Sequence, residues 1–266
     1  MPTIPASPAA APARLRHRRN ARTLTAGQLK NFRRAIAAAQ KLKDDRGYQA
    51  WAGIHGLPLP ISCTHNSPLF LPWHRAYLYF FEKALQDRVA GVTLPWWNWT
   101  MRHNEGLPAA YTVARDPDGN PNPLRSSPIQ AAGREPGGPA KTNRTPGQDG
   151  APPLPTLAQV NAVLALTDFM DFQSQLEDIH NGVHVWVGGT MGSIGTSAYD
   201  PIFWAHHTMI DRIWRLWQLK HPGSGPPRTL LNRALAPFPM TVRDTLDMDA
   251  LGYDYAVTTA ATGGTG

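Results

Sequence analysis

The sequence DPIFWAHHTMIDRIWRLWQL, residues 200–219, decides the fold. Asp200 is a residue type favoured just before the first turn of a helix, and Pro201 is favoured at the first helical position. After this start, apolar residues recur at steps of four and three, which places them on one face of a helix. That face comprises Phe203, His207, Ile210, Trp214 and Trp217. The segment therefore predicts a long helix that brings His207 into the protein core.

Two further segments repeat this pattern with other histidines. The stretch 72–89 starts with a proline and places His74, Leu78, Phe81 and Leu85 on one helical face. The stretch 167–187 also predicts a helix. It carries His180 and His184 at positions i and i+4, so their imidazoles are neighbours about 5–6 Å apart on one face.

Two more histidines, His55 and His65, lie in a region predicted to be a loop. Burying an unpaired imidazole among aromatic residues is costly, so each histidine needs a partner, either a metal ion or a core carbonyl. Three helices that each bring histidine into an apolar face favour the metal. Six imidazoles without an evident bridging carboxylate or thiolate favour a pair of copper ions, and zinc is the alternative. The adjacent His206 is predicted to flank this site near its opening.

A carboxylate and an amide accompany the histidines of 167–187. Glu177 precedes His180 by three residues, and Asn181 follows Glu177 by four, so the two polar groups are neighbours on one helical edge. Together they are predicted to hold a water beside the metal. The alternative is an ordinary helical salt bridge and a tolerated asparagine.

Composition limits the remaining function classes. The chain has 266 residues and a formal charge of +7, but residues 1–43 hold ten basic side chains and no acidic one. The rest carries 16 basic and 19 acidic side chains, so the charge indicates a solvated basic arm rather than a nucleic-acid surface. No apolar run is long enough to span a membrane, and no signal peptide of its own is evident. We expect a cytoplasmic protein or one exported with a partner.

The predicted organisation is one domain at residues 23–257 between a basic Pro/Ala/Arg-rich arm, 1–22, and a flexible tail, 258–266. A first helix is predicted over 25–43 with Thr25 as its N-cap. Residues 116–155 are rich in Pro and Gly, and they predict a long surface excursion or a lid inside the domain.

Three motifs together carry a family resemblance: PLFLPWHRAYLYFFE around His74, HNGVHVWVGG around His180, and DPIFWAHHTMIDRIW around His207. The chain resembles the tyrosinase and polyphenol oxidase family of type 3 copper proteins, and LGYDY near the end is similar to the segment that closes its catalytic domain. The resemblance implies a mainly α fold, a four-helix bundle enclosing a dinuclear copper site, with long irregular loops and few short strands. It implies one copper ion on His55, His65 and His74, and a second on His180, His184 and His207.

The resemblance also assigns roles around the copper ions. Glu177 and Asn181 match the family pair associated with an ordered water that takes the phenol proton. His206 and Ile194 are similar in position to residues that stack on or gate the substrate ring. Cys63, the single cysteine, matches the fungal Cys-x-His in which the thiol is linked to a histidine carbon, here on His65, as a thioether; the alternative is a small buried thiol.

The resulting functional hypothesis is a dicopper phenol oxidase that hydroxylates monophenols at the ortho position and oxidises o-diphenols to o-quinones with dioxygen. Three alternatives stay open: a catechol or o-aminophenol oxidase without monophenolase activity, an oxygen-carrying module like a hemocyanin unit, and a two-zinc hydrolase. The sequence shows no companion domain to plug the pocket, which argues against the hemocyanin alternative. The expected partners are a phenolic substrate, dioxygen and a copper-loading helper protein.

Overall fold

Helices around one aromatic core make up most of the structure, a computed structural model that describes residues 15–58, 60–100, 106–134 and 136–256. The α-helices are α1 (Ala26–Lys41), α2 (Tyr48–His55), α3 (Phe70–Gln86), α4 (Leu157–Leu164), α5 (Phe169–Val187), α6 (Pro201–Lys220) and α7 (Met248–Leu251). The strands are β1 (Arg16–Arg18) and β2 (Tyr253–Tyr255). Six single 3-10 turns lie at Ala109–Tyr111, Ala131–Gly133, Gly189–Gly192, Ser197–Tyr199, Arg228–Leu230 and Arg243–Thr245. The mainly α prediction is confirmed.

The helix ends follow the capping signals of the sequence. Asp200 accepts a hydrogen bond from the Ile202 N–H at 3.0 Å, and Pro201 is the first residue of α6, as predicted. Thr25 caps α1 in a reciprocal arrangement with Gln28. Asp168 accepts hydrogen bonds from two backbone N–H groups at the start of α5. Helix α3 starts at Phe70, two residues before Pro72, the proline predicted to start it. Pro72 is tolerated inside the first turn because the N–H groups there need no partner in the helix.

The helices α2, α3, α5 and α6 carry five of the six predicted ligand histidines and pack with their aromatic faces inward. Trp204 of α6 stacks on Phe81 of α3 with ring centroids 3.6 Å apart, and Tyr77 of α3 packs on the same indole at 4.8 Å. On the other side of α6, Trp217 stacks on Phe172 of α5 at 4.7 Å. These contacts hold α3 and α5 against α6, so the histidine-bearing faces of the three helices meet.

A buried charge cluster joins α3, α6 and strand β1. Strand β1 pairs in parallel with β2, with Arg16 opposite Tyr253. Arg18, predicted as part of a solvated arm, is 0% exposed and binds Glu82 at 2.8 Å and Asp211 at 3.1 Å. Burial alone would raise the pKa of Asp211, but the guanidinium groups of Arg75 and Arg18 hold it below its usual value. The sequence did not reveal this cluster because its members are far apart in the chain.

The Pro/Gly-rich excursion packs against the bundle, and Arg144 makes several of the contacts. Arg144 forms an ion pair with Asp200, the N-cap of α6, and donates hydrogen bonds to the carbonyl groups of Tyr111 and Leu124. Thr145 N–H also donates to the Val187 carbonyl at the end of α5, at 2.9 Å. This part of the excursion therefore braces the two helices that carry His184 and His207.

Parts of the predicted terminal segments lie outside the described residues: 1–14 of the basic arm and the whole tail, 258–266. In the part of the chain that the structure does describe, no helix has the length and apolar character needed to cross a lipid bilayer.

Candidate metal centre

The six histidines predicted as ligands meet in one region of the core. His55 is the last residue of α2, a helix that the sequence analysis did not predict, since it placed this residue in a loop. His65 lies in the loop before α3, and His74 lies in the first half of α3. His180 and His184 lie on α5, and His207 lies on α6.

The second group is compact. The Nε2 atom of His207 lies 3.2 Å from that of His180 and 3.1 Å from that of His184. Ligands about 2.0–2.1 Å from a shared ion lie about this far apart at tetrahedral-like angles. The second group therefore has the spacing of three ligands to one ion.

The first group surrounds the neighbouring space. Ring centroids of His55, His65 and His74 lie 5.3–5.6 Å apart. The two groups touch, because His74 stacks on His207 at 4.7 Å. The candidate ligand atoms of His55, His74 and His207 all lie within 4.8 Å of one another. The site thus has room for adjacent metal positions between the two groups.

Hydrogen bonds to the outer nitrogens aim three rings inward. The Nδ1–H of His74 donates to the Phe70 carbonyl at 2.8 Å, and the Nδ1–H of His184 donates to the Met191 carbonyl at 2.8 Å. The Nδ1–H of His180 donates to the Asn181 Oδ1 at 3.1 Å. Each bond fixes the tautomer that leaves Nε2 as a free lone pair, the arrangement typical of metal-ligating histidines.

Burial keeps these imidazoles neutral. It lowers the pKa of His65 and of His184 to about 4, and it lowers the pKa values of His55, His74, His180 and His207 well below the usual range. The Nε2 of His74 is buried without a hydrogen-bond partner among the described residues. Since orphaned buried polar atoms are rare, the donor set fits a metal ion that prefers neutral nitrogen ligands, such as copper.

Glu177 connects α5 to the loop that carries His65. Its side chain is buried, with 5% of the residue exposed, and Oε1 accepts the Asn66 N–H at 2.7 Å. Burial raises the pKa of Glu177. Its Oε2 accepts no hydrogen bond from the described residues, while the Asn181 Oδ1 is occupied by His180. The two predicted water-holding residues are thus placed beside the site, with one carboxylate oxygen free.

Cys63 lies next to His65. Its Sγ is 3.4 Å from the Nδ1 of His65, and burial raises the pKa of the thiol to about 12. Candidate ligand atoms of His55, Cys63 and His65 also lie within 4.8 Å of one another. The cysteine therefore lies close enough to His65 to support its ring from outside the site.

A cavity of about 300 Å³ opens from the histidines to the surface. Ile194, predicted as a gating residue, lines it and is 46% exposed. Val185, 45% exposed, lines the same mouth, and so does Asn66. The volume is at the lower end of the range for small-molecule sites.

His206 corrects the expectation of a residue near the opening. It is 0% exposed, and the described residues that line the cavity do not include it. Instead its ring stacks on His180 at 5.1 Å, with 11° between the planes. Residue 206 is turned by about 100° from His207 on the helix, and that direction leads to α5 rather than to solvent. Its ligand atom also lies within 4.8 Å of those of the second group.

Sequence reasoning missed two residues that shape this site. Asn66 has a φ of 50°, which turns the chain after His65 and which asparagine tolerates better than most residues. Gly56 follows His55 where a Cβ atom would lie 2.3 Å from the Gly195 carbonyl oxygen, so only glycine allows α2 to approach the segment with Ile194. A glycine directly after the helix-ending histidine was the available signal.

Comparison with known proteins identifies relatives over most of the chain. Residues 45–220 match the family described as the common central domain of tyrosinase. A tyrosinase of Streptomyces glaucescens is 37% identical over 240 residues, covering 78% of this chain and 84% of that protein. A hemocyanin of Sepia officinalis, units G and H, is 32% identical over 241 residues. The match covers 81% of this chain but only 40% of that protein.

Solved structures show the same fold. A functional unit from octopus hemocyanin is similar with a TM-score of 0.77 and 30% identity, covering 91% of this chain and 68% of that one. A mushroom tyrosinase is similar with a TM-score of 0.75 and 23% identity, covering 97% of this chain and 94% of that one. At 23% identity the second likeness concerns the fold alone.

Proposed function

The chain belongs to the tyrosinase family of copper oxidoreductases, and from this premise we propose that it hydroxylates monophenols at the ortho position and oxidises o-diphenols to o-quinones with dioxygen. The observation that carries the proposal is the convergence of two histidine groups beneath a cavity open to the surface. An oxygen carrier needs no access for an organic molecule, whereas a phenol oxidase does. The half-exposed Val185 and Ile194 mark that access.

We further propose that two copper ions bind here, one on His55, His65 and His74 and one on His180, His184 and His207. When bound, copper supplies the redox chemistry with dioxygen, because it cycles between two oxidation states at nitrogen ligands. The chain itself keeps the six imidazoles neutral through burial and aims three of them by hydrogen bonds to Phe70, Asn181 and Met191.

Glu177 is the base in this proposal. A phenol has a pKa near 10 and is mostly protonated at neutral pH, so a base beside the site increases the fraction of phenolate. The free Oε2 of Glu177 accepts the phenol proton through a water, since Glu177 lies beside the cavity and does not line it. The raised pKa of this carboxyl makes it a stronger proton acceptor than an exposed glutamate. Asn181 keeps His180 in the ligating tautomer while this proton moves.

A catechol oxidase without monophenolase activity is the second candidate. The observation that favours it is the Asn181 amide oxygen, which is occupied by His180 and not directed to Glu177. A diphenol loses its first proton more readily than a monophenol, so it depends less on the base.

Initial oxidation rates of copper-loaded protein on tyramine and dopamine separate these candidates. We expect quinone from both, and we expect Glu177→Gln, which removes the proposed base, to slow tyramine oxidation about 100-fold and dopamine oxidation less. Turnover of dopamine alone would support the catechol oxidase. Reversible dioxygen binding without turnover of either compound would contradict the proposal and support the hemocyanin-like alternative.

We also propose a thioether between Cys63 Sγ and a ring carbon of His65. The new S–C bond replaces one S–H and one C–H bond, and dioxygen accepts the two electrons and two protons as hydrogen peroxide. The link would lock the ring orientation of a ligand that otherwise lies in a loop. The copper-loaded protein should weigh two hydrogens less than its sequence, with the deficit in the Cys63–His65 peptide. A freely alkylated Cys63 in denatured, copper-treated protein would contradict the link.

A further inference from the structure

Apolar and polar residues both line the mouth of the cavity. Val185 and Ile194 are apolar lining residues, and each has almost half of its surface exposed. Asn66 and Asn181 supply amide groups to the lining. No lysine, arginine, aspartate or glutamate lines the cavity in the described ranges of the chain. A charged substituent therefore finds no counter-ion in this lining.

Asn66 is the residue of this mouth with the most unusual backbone. Its φ of 50° is the only positive φ of a non-glycine residue among those described. Such conformations are uncommon and tend to occur at functional sites. The hydrogen bond from its N–H to Glu177 Oε1, at 2.7 Å, stabilises this conformation. The backbone is thus fixed, and the side chain starts from a defined position at the rim.

The side-chain amide of Asn66 is unused by the protein. It is exposed, and it makes no hydrogen bond to any residue that the structure describes. Asn181, by contrast, gives its Oδ1 to His180. Asn66 therefore offers one acceptor and two donors to a molecule in the cavity that Val185 and Ile194 also line.

We propose that Asn66 is a specificity-determining residue, and that with Val185 and Ile194 it selects phenols whose para substituent is uncharged and carries an amide- or hydroxyl-type hydrogen-bonding group. The inference rests on the proposed phenol oxidase function, since it concerns the substrate class of the same cavity. The carbon chain of the substituent lies on Val185 and Ile194, and its polar end bonds the Asn66 amide. A carboxylate or an ammonium group has to give up part of its hydration at a rim whose described residues carry no charge.

Four catechols with the same ring test the proposal: 3-(3,4-dihydroxyphenyl)propanamide, the corresponding propanoate, dopamine and 4-propylcatechol. For the copper-loaded protein, we expect kcat/KM for the propanamide to exceed that for each of the other three about fivefold. Asn66→Gly keeps the backbone conformation and removes the amide, so the advantage over 4-propylcatechol should disappear. Asn66→Asp keeps the shape and adds a charge, so dopamine should gain about fivefold relative to the propanamide.

Asn161→Asp is the matched control, because it adds the same charge at an exposed position of α4 away from the cavity. Its ratios should equal those of the wild type. A second readout uses zinc-loaded protein and the matching monophenols, whose binding is measured by calorimetry without turnover. If the copper protein oxidises none of the catechols, the proposed function fails, while the binding ratios still test Asn66. Equal ratios in the wild type and in Asn66→Asp would overturn the inference.

Discussion

The two histidine groups are built in different ways. His180, His184 and His207 all lie on α5 and α6, long helices that start at aspartate N-caps. In the first group only His74 lies inside a long helix. His55 ends the eight-residue α2, which has no side-chain N-cap, and His65 lies in a loop.

This difference teaches that the second group is positioned by helix geometry and the first by contacts between distant segments. An i, i+4 pair on a packed helix keeps its spacing without outside help. His65 instead depends on the hydrogen bond of Asn66 to Glu177 and on the neighbouring Cys63. We therefore expect the second group to tolerate changes around it better than the first.

Removing the histidine that both groups contact has the largest expected effect. His207→Ala should lower kcat/KM by about 1,000-fold or more. The reason is that the candidate ligand atom of His207 lies within 4.8 Å of candidate ligand atoms in both groups. Metal analysis should find copper lost from the second site and weakened at the first. The exposed His17→Ala is the control. Two tightly held copper ions per chain in His207→Ala would contradict the assignment.

The charge cluster between α3, α6 and β1 should matter for stability more than for ligand geometry. Asp211→Ala leaves Arg18 and Arg75 without their shared carboxylate, so the free energy of unfolding should fall by about 3–5 kcal/mol. Asp254→Ala breaks a partly exposed pair with Arg215 and should cost about 0.2–1 kcal/mol. Urea denaturation of the holoprotein measures both. Equal losses would show that the cluster does not brace the bundle.

Two substitutions of Glu177 separate its support of the first group from its role as a base. Glu177→Ala removes the acceptor of the Asn66 N–H, so one copper should bind about tenfold to 100-fold more weakly in chelator competition. Glu177→Gln keeps an acceptor oxygen and should retain both ions, yet phenol oxidation should slow about 100-fold. Equal copper affinity in both variants would show that His65 does not depend on this contact.

The smallest effect is expected at the start of α5. Asp168→Ala removes the acceptor of two backbone N–H groups and should lower the free energy of unfolding by about 1 kcal/mol. Copper content should not change, because the packing of α5 on α6 holds the second group. Asp171→Ala, in the same turn without a capping bond, should cost only a few tenths of a kcal/mol. Loss of copper from Asp168→Ala would contradict the idea that helix packing protects this group.

The same contrast explains how far sequence reasoning reached. Helix α6 was predictable because an N-cap, a proline and an apolar period of 3.6 all agree over twenty residues. The motif around His74 and the i, i+4 pair of α5 were accessible for the same reason. These local signals cover the mainly α fold and place four of the six histidines on their helices.

Features that depend on distant contacts were not predictable. Helix α2 is short and lies between glycines, so its periodic signal is weak. His206 was expected at the opening because a helical wheel does not show which neighbour covers each face. Arg18 was expected in solvent, since its carboxylate partners lie 64 and 193 residues away. The N–H of Asn66, whose backbone is left-handed, is bonded to Glu177, 111 residues away.

The parallel pairing of β1 with β2 has a consequence for how the protein is made. Arg18 donates a hydrogen bond to the Tyr255 hydroxyl across 237 residues, so the cluster cannot close until nearly the whole described chain has left the ribosome. Contacts of this range make folding slow, because a long loop must be ordered before they form. The charge cluster can therefore close only after β2 has been synthesised, whereas the six candidate ligand histidines all lie earlier in the chain.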